Sequence, residues 1–229
     1  MDGMNKEKWK AFSGKEKAEH IWYYYKVHII VTLLIVICAV GMIYTAVTKV
    51  EPQMTVLMFN TTNIDAMAAP PDYSAFMTEY GYENYDGAVK TVKNYYIFSK
   101  EEDPELYNTN YYNDSKAVID LMYAGAVDVI FGRGDFFEKD MLSSEVFVDL
   151  RTILPAEVLE AYKDNIIYGR VLPENEDEES TEVYPCAIYL KDNAWVKASG
   201  LYSDCYVAIP KSQSTKEIAV DFLLYLLQQ

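Results

Sequence analysis

Nineteen consecutive residues, Ile29–Val47 (IIVTLLIVICAVGMIYTAV), carry no charge. At ~1.5 Å rise per residue, a helix of this length comes close to spanning the hydrocarbon core of a bilayer, which takes about 20 apolar residues. In lipid a lone segment satisfies its own backbone polar groups only as a helix. A transmembrane helix is therefore expected over 29–47. It divides the chain into a juxtamembrane segment (1–28), a short tether (48–53) and a domain over 54–229.

The flanks set an orientation. Lys6, Lys8, Lys10, Lys15, Lys17 and Lys26 precede the span, whereas Lys49 alone follows closely. Basic residues stay on the cytoplasmic side, so the N-terminus is expected inside and the C-terminal domain outside the cytoplasm. Trp22, Tyr23, Tyr24 and Tyr25 abut the span, where amphipathic rings favour the headgroup level. The apolar stretch exceeds the usual h-region of a signal peptide, and no A-x-A site follows it. Ile35, Val36 and Ile37 before Cys38 are too bulky for a lipobox. An uncleaved signal-anchor in the cell membrane is the expectation, with the lipid bilayer as first partner.

Charge and residue usage exclude several functions. Residues 1–28 carry six lysines against four carboxylates, a net of +2, so with −15 for the whole chain residues 29–229 carry −17. That acidity argues against nucleic acid, whose phosphates call for a basic face. Both histidines, His20 and His28, precede the span. The domain thus lacks Ser-His-Asp and Cys-His nucleophile systems and histidine-ligated zinc. It retains Cys186 and Cys205, each in an apolar run. They form either a disulfide, which an extracytoplasmic location permits, or two buried free thiols. The acidic stretch Pro173–Glu182 lacks calcium-loop spacing, so no metal and no cofactor are expected.

Strand and helix patterns alternate along the domain. Met54–Phe59 is a compact apolar run suited to a buried strand. Pro70–Pro71 opens a helix through about Tyr80, and Val89–Ser99 is strand-like. Glu101–Tyr112 reads as a loop, followed by a helix capped by Asn113 or Asp114 and ended by Gly125. Val127–Phe131 is a strand and Phe136–Leu142 a helix. Val146–Leu150 is a further apolar run, Pro155–Tyr162 a helix and Ile166–Leu172 a strand. Val183–Leu190 and Cys205–Ile209 are strands flanking an amphipathic segment, Asn193–Ser199. Ser214–Glu217 fits a capping box for a last helix with an apolar face of Ile218, Ala219, Phe222, Leu223 and Leu226. The alternation predicts an α/β fold: one αβα domain with a mixed, mostly parallel sheet.

AVDVIFGRGDFF (126–137), VFVDL (146–150) and DCYVAIPKSQSTKEIAVDFLLYLL (204–227) resemble extracellular solute-binding proteins of the type 2 periplasmic-binding fold. The resemblance runs over roughly Met54–Leu227. It implies one lobe of that fold, with Pro173–Val183 standing where the excursion into a second lobe would begin. KEKAEHIWYYYKVHII (15–30) is similar to the juxtamembrane stretch of membrane proteins of Gram-positive clostridia.

In open α/β sheets, ligands lie beyond the carboxyl ends of strands. That rule points to Asn60, Thr61 and Thr62 after the first strand, and to Arg133, Gly134 and Asp135 after VDVIF. The glycines let backbone approach a ligand closely, and Arg133 can pair with a carboxylate or phosphate. The plainer alternative is a tight strand–helix turn in which Asp135 caps the next helix. No catalytic residue stands out, and no pair of carboxylates is marked as a glycosidase pair. The expectation is a membrane-tethered, non-enzymatic solute-binding-like module for sensing or capturing a small molecule. The alternative is a domain built on the same lobe that binds a protein or cell-wall partner.

Overall fold

The computed structural model describes residues 12–48, 51–61, 71–98, 111–172, 182–211 and 215–229. Two units make up the chain, Met1–Val50 and Glu51–Gln229. Among the described residues, the first holds one helix, α1 (Gly14–Thr48), of 35 residues. A capping box starts it: the Ser13 N–H donates to Glu16 Oε2 (2.7 Å), and the Glu16 N–H donates to Ser13 Oγ (3.4 Å). The helix therefore does not begin at Ile29. It starts within the juxtamembrane segment and carries the exposed aromatic run Trp22–Tyr25 before entering the apolar stretch. The stretch is long and apolar enough to cross a membrane.

In the second unit, six strands form one sheet in the order β2-β1-β3-β6-β5-β4. They are β1 (Met54–Phe59), β2 (Val89–Tyr95), β3 (Val129–Gly132), β4 (Ile166–Arg170), β5 (Val183–Lys191) and β6 (Asp204–Ala208). β1 pairs in parallel with both β2 and β3. The three remaining pairings, β3 with β6, β6 with β5 and β5 with β4, are antiparallel. The sheet is mixed as expected but not mostly parallel. Strands buried on both faces read as unbroken apolar runs whichever way they point, so direction left no mark on the pattern.

Helices cover both faces. On one lie α2 (Ser74–Glu79), α5 (Ala194–Ser199) and α6 (Glu217–Leu227), whose Phe76, Val196 and Phe222 pack with Met54, Val56, Met58 and Phe131 of the sheet. On the other lie α3 (Tyr111–Tyr123) and a π-helix (Phe136–Met141), which bury Val118, Met122, Phe136 and Phe137 against Leu57, Phe59 and Ile130. A short α4 (Ala156–Ala161) precedes β4.

Several local expectations shift. Tyr111 and Tyr112 belong to α3 rather than to a loop, and Asn113 and Asp114 lie inside that helix instead of capping it. The apolar run Val146–Leu150 makes a single bridge, Phe147 to Pro210, and Asp149 caps a 3-10 turn over Leu150–Thr152. Glu217 is the first residue of α6 and not its third, and the N-cap Lys216 makes no side-chain cap bond. Ser214 lies outside the described residues. Lys216 instead pairs with Asp128 (2.9 Å), whose carboxylate also accepts the Thr55 N–H (2.7 Å), fixing α6 to the amino end of β1. The acidic stretch 173–181 also lies outside the described residues.

Candidate functional site

The parallel ladders bring the carboxyl ends of β1, β2 and β3 together, with Phe59 beside Tyr95 and Met58 beside Phe131. Asn60 leaves β1 in the left-handed region (φ 54°) and is fully buried. Its amide donates to the carbonyls of Ile97 and Arg133, each at 2.9 Å, and its Oδ1 accepts the Ile97 N–H at 2.6 Å. Its backbone is equally engaged: the N–H donates to Tyr95 O (3.0 Å), and the carbonyl accepts Arg133 Nε–H (2.9 Å). Asn60 is thus a strut joining three strand ends, with its side-chain bonding spent inside the protein.

Thr61 is buried, and its Oγ1 lies 3.2 Å from the Tyr96 hydroxyl. Thr62 lies outside the described residues. Gly134 turns the chain with φ 89°, a conformation that suits glycine. Asp135 stands at the start of the π-helix but makes no capping bond; its Oδ2 pairs with Lys139 Nζ (2.7 Å) one turn on. The structure therefore gathers Asn60, Thr61 and Arg133–Asp135 at one edge.

Arg133 is the residue there with donors to spare. Its guanidinium is half-buried, anchored through Nε on Asn60 and held 5.8 Å from the Phe98 ring centroid. Among the described residues its two terminal nitrogens have no partner. Among the described residues, seven other cations of the domain pair with carboxylates. Lys90, Arg170 and Lys191 form no such pair but are exposed. A guanidinium fixed by one nitrogen presents its remaining fork in a set direction, the geometry that suits a carboxylate or phosphate.

Two supports of this edge are not among the residues singled out from the sequence. Tyr202, from the loop before β6, donates its hydroxyl to Phe59 O (2.7 Å) and Phe131 O (3.3 Å), closing the ends of β1 and β3 from the α5 side. Burial holds its phenol far above the usual range, so it remains a neutral donor. Gly132 is the second. A Cβ there would lie 2.1 Å from the Phe59 ring, so only glycine lets that ring lie across β3. A glycine inside an apolar strand run is a signal of such close approach.

The thiols are apart. Cys205 packs with Val207 and Phe222 on one face of the sheet, and Cys186 with Ala187 and Phe137 on the other. Both are free and buried, and no disulfide joins them. Burial pushes the Cys186 thiol up to about 12 and Cys205 further still, which leaves both protonated.

Compared with known proteins, the chain matches no family model, no curated protein and no solved structure.

Proposed function

We propose that the chain is a membrane-tethered, non-enzymatic binding module whose domain lies outside the cytoplasm and captures or senses an anionic small molecule at the carboxyl edge of β1 and β3. The observation that carries this reading is Arg133: among the described residues of an acidic domain, it is the half-buried cation without a carboxylate partner. Burying a cation without a counterion costs free energy, so the site gains when an anion arrives. The non-catalytic part of the reading rests on the absence of histidine from residues 29–229 and on two thiols held protonated by burial. The lysine-rich N-terminal flank supports the assigned side of the membrane.

Thermal unfolding of the full chain in nonionic detergent tests the proposal, with phosphate, citrate and glutamate as probes. A bound anion at a hundredfold excess over Kd adds about 2.7 kcal/mol of stability. Phosphate and similar anions also stabilise proteins by exclusion from their surfaces, so the comparison that decides is with Arg133→Gln. A raised midpoint in the native chain that disappears in R133Q supports the site. Equal shifts in both proteins, or none in either, remove it.

The second reading, a protein-binding domain on the same scaffold, is favoured by α3. It turns Tyr112 (75 % exposed) and Tyr123 (70 % exposed) to solvent, and tyrosine is enriched at interfaces. Tyr112→Ala and Tyr123→Ala would weaken partner capture while leaving the anion response of Arg133 unchanged.

A further inference from the structure

A cleft separate from the Arg133 edge opens between α2, α5 and the C-terminal end of α6, with a volume of about 300 Å³. Small side chains keep it open: Ala75 on α2 faces Ala194 and Ala198, which are one turn apart on α5. Trp195 and Tyr225 supply aromatic walls. The indole is fixed in place. Its Nε1–H donates to Asp72 O (3.0 Å), and its ring centroid lies 5.4 Å from that of Tyr73, 5.8 Å from Phe131 and 5.3 Å from Phe222.

At the cleft stands the Asp72 carboxylate, which accepts the Ser74 N–H at 2.8 Å. Bonding from Ser74 holds it below the ordinary carboxylate range, so it is ionised at neutral pH. No cation pairs with it among the described residues. The Ser199 hydroxyl is already spent, donating to Val196 O (2.6 Å) and accepting the Leu201 N–H (3.2 Å). The cleft therefore offers the Asp72 carboxylate, two aromatic rings and an alanine surface, with Gln229 as its remaining polar wall. One carboxylate is too few oxygen ligands for a calcium or magnesium ion. The volume stands at the small end of the range for small-molecule pockets, about 300–1,000 Å³.

We infer that this cleft takes a small organic cation, an alkylammonium or quaternary ammonium group, held by Asp72 and by the faces of Trp195 and Tyr225. Aromatic faces attract such cations and a carboxylate completes the charge pairing. The net −17 over residues 29–229 raises the local concentration of cations around the domain.

The test measures binding of choline, as a quaternary ammonium probe, to the full chain in nonionic maltoside detergent by calorimetry. Its uncharged isostere, 3,3-dimethylbutan-1-ol, is the control. Choline binds about tenfold tighter than the isostere if charge recognition operates. Asp72→Asn keeps an acceptor for the Ser74 N–H and removes the charge, so the two probes become equal in that variant. Ala198→Leu fills the cleft from an exposed position and abolishes binding of both. Failure of the native chain to bind choline, equal affinity for the isostere, or unchanged choline affinity in D72N would each overturn the inference. None of these outcomes depends on Arg133, so the anion site and the cation cleft stand or fall separately.

Discussion

Asn60 shows what a single side chain contributes at the strand ends. It must take a left-handed backbone, donate twice and accept once, all while fully buried. Asparagine meets these demands together, since it tolerates the left-handed region better than most residues and carries both donor and acceptor groups. Asn60→Ala leaves two carbonyls and one N–H unsatisfied and adds a backbone penalty. It is expected to destabilise the domain by about 2–4 kcal/mol in urea unfolding. Asn60→Gly loses the same bonds without the backbone penalty and is expected to cost about 1 kcal/mol less. An alanine variant as stable as the native chain would show that the strut is dispensable. The sequence placed Asn60 correctly at the end of β1, because an apolar run ending in a polar residue marks that edge. Its role was hidden, since the groups it bonds lie 37 and 73 residues away and only the folded sheet brings them near. The same holds for the thiols. Cys186 and Cys205 sit in adjacent strands whose alternation would put them on one face. The irregularity at Cys186, where β5 pairs with β4, places them in opposite cores.

Among the elements, β3 has the least freedom. It is four residues long, pairs with β1 on one side and β6 on the other, and ends in the glycine over which Phe59 lies. Phe59 has little room to retreat, with Phe136 at 5.4 Å and Phe137 at 6.2 Å between ring centroids. Gly132→Ala is therefore expected to cost about 1–3 kcal/mol through overpacking. Phe59→Leu costs stability by itself but makes room for the added methyl. In the double variant the two losses are expected to sum to less than their separate values. Strict additivity would mean that the ring and the glycine do not meet. Element type was largely legible here. β1, α6 and the Gly125 stop of α3 follow from apolar spacing and glycine placement, and all five apolar residues assigned to the last helix are buried. Strand direction and the π-helix were not legible, because neither changes which residues are apolar. The capping box at Ser13–Glu16, which a reading by apolar span passes over, marks a start well ahead of that span.

At the scale of the whole molecule, the apolar helix is compatible with a single-pass membrane anchor. At ~1.5 Å per residue, α1 is about 52 Å long, against about 30 Å of hydrocarbon. The apolar part matches the thickness of a bilayer core, and the turns carrying Lys15, Lys17 and Lys26 lie N-terminal to it. The lysine asymmetry makes a directional prediction that thiol chemistry can check. Cys186 and Cys205 are buried and protonated, so they are poor targets for maleimide in the folded chain. In a Cys38→Ala background, a thiol introduced at exposed Lys191 should react with a membrane-impermeant maleimide on intact cells. One introduced at exposed Lys15 should react only after lysis. The reverse pattern would place the domain in the cytoplasm, and the proposed capture of an external solute would fail with it. Labelling of both positions on intact cells would mean that α1 does not span the bilayer. The Arg133 and Asp72 tests use purified chain and would be untouched by either result, because recognition chemistry belongs to the domain while sidedness belongs to the helix.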